Sequence, residues 1–87
     1  MYSYKTSGTC SQEILFDVTD GKVSYVKFVR GCAGNTQGVA KLAVGRDVDD
    51  VIGLLSGIKC RNGTSCPDQL AKALIGYKNN RNVKEIQ

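Results

Sequence analysis

Histidine and tryptophan are absent from this 87-residue chain, and it contains a single proline. Without histidine there is no imidazole to serve as a general base, to complete a Ser-His-Asp triad or to bind a metal ion. No apolar run approaches the roughly 18 residues of a transmembrane helix. The N-terminal residues also lack the apolar core of a secretory signal. We therefore expect a cytoplasmic protein with no membrane partner.

The length allows one domain, which we expect to span residues 1–87. A chain of this size buries roughly 60–65% of its unfolded surface, and its core alone supplies about 3–5 kcal/mol. Such a domain commonly needs a further stabilising feature. The formal net charge of +4 is modest and does not by itself indicate a nucleic-acid partner.

The first third of the chain is rich in residues that favour β-strands. The predicted strands are an edge strand at residues 2–6 and two hairpin strands at residues 13–19 and 22–30. Asp20-Gly21 separates the hairpin strands and is typical of a tight turn that needs positive φ at both positions. Strict alternation places Val23 on one face of the last strand and puts Val26 and Phe28 on the other, which we expect to be buried.

Helix signals follow the strands. We expect Asn35 or Thr36 to cap the first helix, Asp47 the second, and Cys66-Pro67 to begin the third. Their predicted stops are Gly45, Gly57 and Asn79-Asn80, and residues 79–87 are expected to form a frayed tail.

Apolar residues recur at helical spacing in all three segments. The predicted inward-facing residues are Val39, Leu42 and Ala43, then Val48, Val51, Ile52 and Leu55, then Leu70, Ala73, Leu74 and Tyr77. Because the strands precede the helices, the fold class is predicted to be α+β. We expect a small antiparallel sheet, made of the N-terminal strand and the hairpin, with two or three helices packed on one face.

The residues best suited to metal binding or redox chemistry are the four cysteines, Cys10, Cys32, Cys60 and Cys66. Their spacing, C-x21-C-x27-C-x5-C, does not match a standard zinc pattern. Each of them nevertheless falls in a turn at the predicted end of an element, whereas core cysteines more often lie within a strand or helix. If the sheet and helices pack as predicted, we expect the hairpin to bring Cys10 and Cys32 close together, and Cys60 with Cys66 must then reach the same end of the sheet.

A tetrahedral zinc site with these four ligands is the interpretation that we favour, because bound metal supplies folding free energy that a small domain lacks. Three alternatives stay open. One is a redox-active pair, Cys60 with Cys66 or Cys10 with Cys32, and Cys66 at a helix N-terminus suits a thiolate in either role. The others are reduced cysteines without chemistry and an iron–sulfur cluster.

Charged residues near the C-terminus have simpler interpretations. We expect Asp68 to stabilise the first turn of its helix rather than to act as a general base. Lys78, Arg81 and Lys84 form a basic end without the aromatic platform typical of single-strand binders. Nucleic-acid binding is thus an alternative that the sequence does not favour.

Residues 64–68 read TSCPD, and the chain resembles the TSCPD-domain family, most closely its small stand-alone members with four cysteines. The resemblance covers roughly Tyr4 to Lys78, and it includes the segments around Cys10, Cys32 and Cys60. One departure is Arg30, which stands where many members have glycine.

The family's domain is also found at the C-terminus of cobalamin-dependent ribonucleoside-diphosphate reductases. The resemblance therefore implies a link to ribonucleotide reduction. The chain is too short to contain a catalytic barrel of roughly 250 residues, so a stand-alone enzyme is not expected. The implied role is accessory, as a source of thiols or a docking surface, with a reductase or another protein as partner.

Overall fold

The structure is a computed structural model that describes residues 1–6, 13–29, 33–58 and 66–86. Within these ranges the elements are β1 (Tyr2–Lys5), β2 (Glu13–Thr19), β3 (Lys22–Val29), α1 (Ala33–Ala43), α2 (Val48–Leu55), α3 (Cys66–Asn79) and β4 (Lys84–Glu85). The strands form one antiparallel sheet in the order β3-β2-β1-β4. This arrangement confirms the predicted α+β class.

The hairpin turn forms as predicted, with positive φ of 54° at Asp20 and 76° at Gly21. The position of β1 differs from the prediction, because β1 lies between β2 and β4 and is not an edge strand. The cause is the C-terminal segment, which was expected to fray. Lys84 and Glu85 instead pair with β1, and the Ile86 amide donates to the Met1 carbonyl at 2.7 Å.

The two faces of β3 do not alternate strictly. Asp17 pairs with Tyr25, but the next residue of β2, Val18, pairs with Val23, so Ser24 is skipped. A bulge of this kind reverses the face on which the following residues lie. Val23 is therefore buried in the same core as Val26, which corrects the prediction that these two residues lie on opposite faces.

The helix boundaries agree with the predicted stops more closely than with the predicted caps. Gly45 and Gly57 have φ of 91° and 82° and follow the ends of α1 and α2. Helix α1 begins at Ala33, so neither of its predicted caps stands at the N-cap position. Asp47 is the N-cap residue of α2, but its carboxylate makes no capping hydrogen bond and lies 3.7 Å from the Lys22 amine.

The core lies between the sheet and one face of the helices. Its buried members are Ile14, Phe16, Val23, Val26, Ala43, Val48, Val51, Leu70, Ala73 and Leu74. Tyr2 stacks on Phe16 with ring centroids 5.5 Å apart and meets Tyr77 edge-on at 4.9 Å. Leu42 was predicted to face inward, but it is 69% exposed.

Gly76 allows the chain to turn back after α3. The Arg81 amide donates to the Gly76 carbonyl at 2.8 Å, and a Cβ atom at Gly76 would lie 2.3 Å from the Arg81 carbonyl oxygen. The chain can therefore pass close to Gly76 at Arg81 before it continues to β4. A Cβ atom at Gly53 in α2, in contrast, would meet nothing within 4 Å.

We predict that Gly76→Ala lowers the free energy of unfolding by about 1–3 kcal/mol, because the backbone at Arg81 must move. The matched substitution Gly53→Ala should instead raise it by about 0.4–1 kcal/mol, since it restricts the unfolded chain without a clash. Urea denaturation of both variants at equal metal content measures the difference. Equal stability of the two variants would contradict the close packing at Gly76.

The environment of the Tyr2 phenol predicts how the stability of the fold changes at alkaline pH. Burial, and then negative charge on Tyr77, Glu85 and Asp17, raises the pKa of the Tyr2 phenol above its ordinary value of 10.0. The unfolded chain therefore loses this proton first, and the corresponding stability, complete below pH 10, is lost as the pH rises through the folded-state pKa. Tyr2→Phe should flatten the fall in unfolding free energy above pH 10 relative to the wild-type protein. Identical pH profiles would refute the assignment.

Candidate functional site

The first turn of α3 is unusually well covered. Cys66 is 4% exposed, Asp68 is 6% exposed, and Pro67 and Gln69 are also buried. Helix starts more often face solvent, because their first amide groups lack partners within the helix. The CPD portion of the TSCPD string therefore lies inside the domain rather than on its surface.

Asp68 joins two helices. Its Oδ1 accepts a hydrogen bond of 2.7 Å from the amide of Gly57, which follows α2. Its Oδ2 lies 3.5 Å from the Nζ of Lys72, one turn further along α3. The sequence suggested a role within the first turn of α3, and the structure adds this bond between segments. The carboxylate thus fixes the start of α3 against the end of α2.

Contacts at the opposite ends of these helices show that they run antiparallel. Lys78, near the end of α3, forms an ion pair and a hydrogen bond with Asp49 at the start of α2. The amide of Val48 donates to the carbonyl of Gly21 in the hairpin turn at 3.0 Å. The start of α2 and the end of α3 therefore lie at the hairpin turn, and Cys66 lies at the end of the helix pair that points away from it.

The strands reach the same side of the domain. Lys5 pairs with Glu13, and Glu13 pairs with Val29, so the end of β1, the start of β2 and the end of β3 lie side by side. These three residues form the end of the sheet remote from the hairpin turn, which we call the far end.

Helix α1 runs from the far end towards the hairpin. It begins at Ala33, four residues after Val29, and it is followed by Gly45, whose amide donates to the carbonyl of Val23 at 2.8 Å. Its N-terminus therefore also belongs to the side of the domain on which the far end lies.

Three of the four predicted metal ligands, Cys10, Cys32 and Cys60, lie outside the described residues. Cys66 is the one cysteine within them, and their His, Cys, Asp and Glu side chains include no group of three or more that could hold a metal ion. The described residues that flank the other three cysteines are Lys5 and Glu13 for Cys10, Val29 and Ala33 for Cys32, and Ile58 and Cys66 for Cys60.

A sequence model of the TSCPD domain matches residues 2–78, which is most of the chain. This protein belongs to the TSCPD domain family. The TSCPD domain is associated with the C-terminal regions of ribonucleotide reductases. No curated protein and no solved structure gave a significant match to this TSCPD chain. In the part of the chain that the structure describes, each helix is too short or too polar to cross a bilayer.

We predict that Asp68→Ala lowers the free energy of unfolding by about 1–3 kcal/mol, because the Gly57 amide loses its acceptor. Asp68→Asn should cost less, since an amide oxygen can still accept this bond. Lys72→Met should change the stability by no more than about 1 kcal/mol, because the amine of this pair is exposed. Denaturation curves of the three variants test this order, and a larger loss for Lys72→Met than for Asp68→Ala would contradict it.

Proposed function

We propose that this TSCPD protein is a zinc-binding module that acts as an accessory to ribonucleotide reduction. Its ligands are Cys10, Cys32, Cys60 and Cys66, each as a thiolate. Four protein ligands complete the tetrahedral shell of zinc and leave no open position for a substrate. The zinc ion would therefore stabilise the fold rather than catalyse a reaction.

The observation that carries the proposal is the convergence of described residues at one side of the domain. Lys5, Glu13 and Val29 lie together at the far end of the sheet, and both Ala33 and Cys66 begin helices that start on this side. Cys10 is three residues from Glu13 in the sequence, and Cys32 directly precedes Ala33. A residue spans at most about 3.6 Å of extended chain, so short tethers join these cysteines to that side.

The surroundings of Cys66 suit a metal ligand. The N-terminus of α3 offers amide groups and the positive end of the helix dipole, both of which favour a thiolate over a thiol. Asp68, two residues on, is held by the end of α2, and Ile58 and Cys60 follow that end in the chain. The bond therefore holds Gly57, three residues before Cys60 in the sequence, against the start of α3.

The burial of Cys66 favours this role over a thiol-redox role. Redox-active cysteines are at least partly accessible, since the thiolate must reach a second sulfur atom in a partner or substrate. At 4% exposure, Cys66 presents little surface to such a partner. A structural zinc ligand, in contrast, is normally enclosed.

The accessory role rests on the family. The support for this role is the association of the TSCPD domain with the C-terminal regions of ribonucleotide reductases. Residues 2–78 match this domain, so the family link concerns the domain itself. We therefore propose a reductase as the partner and a docking contact as the mode of action.

Intact-mass spectrometry under native and denaturing conditions tests the zinc site. Protein purified without added metal should carry one zinc ion per chain in the native spectrum, and four free thiols after denaturation with a chelator. Replacing any one of the four cysteines by serine should reduce the bound zinc to well below one ion per chain, because serine is a much weaker zinc ligand at neutral pH.

The control variant is Asp50→Asn, which removes an exposed carboxylate of α2 and should retain the full zinc content. A folded wild-type protein without zinc, or with disulfide bonds in place of free thiols, would refute the site. If rapid alkylation of native Cys66 accompanied that result, the thiol-redox alternative would replace it.

A further inference from the structure

A cavity of about 620 Å³ opens on the sheet where β1 extends beyond the first residue of β4. Its lining includes Ser3 and Lys5 of β1, Glu13 at the start of β2, and Asn82 and Lys84 beside and within β4. Cavities of about 300–1,000 Å³ are typical of small-molecule sites. The function proposed above assigns no role to these side chains.

The charged side chains of this cavity lie on the face of the sheet opposite the core. Tyr2 packs against the core, so the alternation of side chains along a strand directs Ser3 and Lys5 to the other face. In the register of the sheet, Glu13 is the direct neighbour of Lys5, and Lys84 is the direct neighbour of Ser3. Two amines and one carboxylate therefore share a small area of this face.

Neither amine of the cavity forms an ion pair with a described residue. Opposite charges on cross-strand neighbours such as Lys5 and Glu13 commonly attract each other. The Glu13 carboxylate instead accepts a hydrogen bond from the Ser3 hydroxyl. Three other lysines are each paired with an aspartate: Lys22, Lys72 and Lys78. The positive charges of Lys5 and Lys84 are therefore not compensated within the described parts of the chain.

The two cavity lysines are diagonal neighbours across β1 and β4, because Lys84 pairs with Ser3 and Lys5 lies two residues further along β1. Residues placed in this way are typically about 7–8 Å apart. Like charges at such a spacing repel each other, and an anion bound between them would relieve the repulsion.

The backbone adds a hydrogen-bond donor to the same place. The Ile86 amide donates to the Met1 carbonyl, so alternate residues of β1, including Lys5, direct their backbone groups towards β4. Asn82 would stand opposite Lys5 in this register, but it has a left-handed φ of 58° and lies outside β4. In the described ranges, no backbone carbonyl accepts a hydrogen bond from the Lys5 amide.

We propose that this cavity binds a phosphate monoester whose organic part carries hydroxyl groups, such as a sugar phosphate. The ammonium groups of Lys5 and Lys84 hold the phosphate oxygens, and the Lys5 amide donates a hydrogen bond to one of them. The Glu13 carboxylate and the Asn82 side-chain amide bind the hydroxyl groups.

The charges of the cavity favour this class of ligand over other anions. A phosphate monoester carries a charge of about −1.5 to −2 at pH 7 and three acceptor oxygens, which matches two ammonium groups and one amide. A carboxylate supplies only one charge. Glu13 disfavours a ligand that is anionic throughout, whereas a hydroxyl group can donate a hydrogen bond to its carboxylate.

The ligand site is a separate proposal from the zinc site. None of the side chains assigned to the phosphate ester is a cysteine, and its binding requires no metal ion. The failure of one proposal therefore leaves the other standing, and zinc content measured on the same samples separates them.

Isothermal titration calorimetry of the full chain with ribose 5-phosphate, in a phosphate-free buffer of low ionic strength, tests the site. The wild-type protein should bind ribose 5-phosphate at least about tenfold more tightly than inorganic phosphate, because the hydroxyl groups add hydrogen bonds to a charged acceptor. Lys5→Met and Lys84→Met should each weaken this binding by at least about tenfold, since each removes a charge-assisted contact to the phosphate. Glu13→Gln should reduce the preference for ribose 5-phosphate over inorganic phosphate.

Lys41→Met is the matched control. Lys41 is exposed on α1 and, like the two cavity lysines, forms no ion pair with a described residue. Its replacement removes the same charge outside the cavity, so the affinity for ribose 5-phosphate should change by no more than about twofold. Circular dichroism confirms that each variant is folded.

Titration with adenosine 5′-monophosphate distinguishes two sources of the same chemical group. Tighter binding than that of ribose 5-phosphate assigns the site to nucleotides, and weaker binding assigns it to free sugar phosphates. Three results would overturn the proposal: no binding of ribose 5-phosphate at millimolar concentration, binding no tighter than that of inorganic phosphate, or a loss of affinity in Lys41→Met equal to the loss in the cavity variants.

Discussion

The direction of α3 is the constraint on which the rest of the structure depends. The Asp68 carboxylate holds the start of this helix to the Gly57 amide, and Lys78 holds its end to Asp49. Because α2 itself begins at the hairpin turn, these two contacts leave a single direction for α3 across the sheet. Cys66 is thereby carried to the side where the strands end, and the chain that follows α3 returns beside β1.

Local chemistry made much of this fold predictable. Asp20-Gly21 specifies its turn through positive φ, and Cys66-Pro67 specifies a helix start, so both appear in the structure as expected. The face of Val23 was not predictable, because a bulge at Ser24 depends on how two strands meet rather than on either strand alone. The Lys84–Glu85 strand carries no β signal and forms because Gly76 lets the chain turn back.

The four cysteines of the candidate site stay a prediction from the sequence, whereas the contacts that support the start of α3 were not predictable from it. The sequence predicts that Cys10, Cys32 and Cys60 lie in turns, and these residues fall outside the described ranges. The pairing of Glu13 with Val29 agrees with the expected hairpin. The bond from Gly57 to Asp68 was not predictable, because it joins two segments whose proximity depends on tertiary packing. The exposed Leu42 was likewise misassigned, since helical spacing alone does not show how far a stripe extends beyond the core.

The central claim is that folding gathers four sulfur atoms around one zinc ion at the side of the domain opposite the hairpin turn. X-ray absorption at the zinc edge, on protein purified without added metal, measures this most directly. The account predicts a single shell of four sulfur scatterers at about 2.3 Å. A shell dominated by oxygen or nitrogen, or one with fewer than four sulfur atoms per zinc, would contradict it.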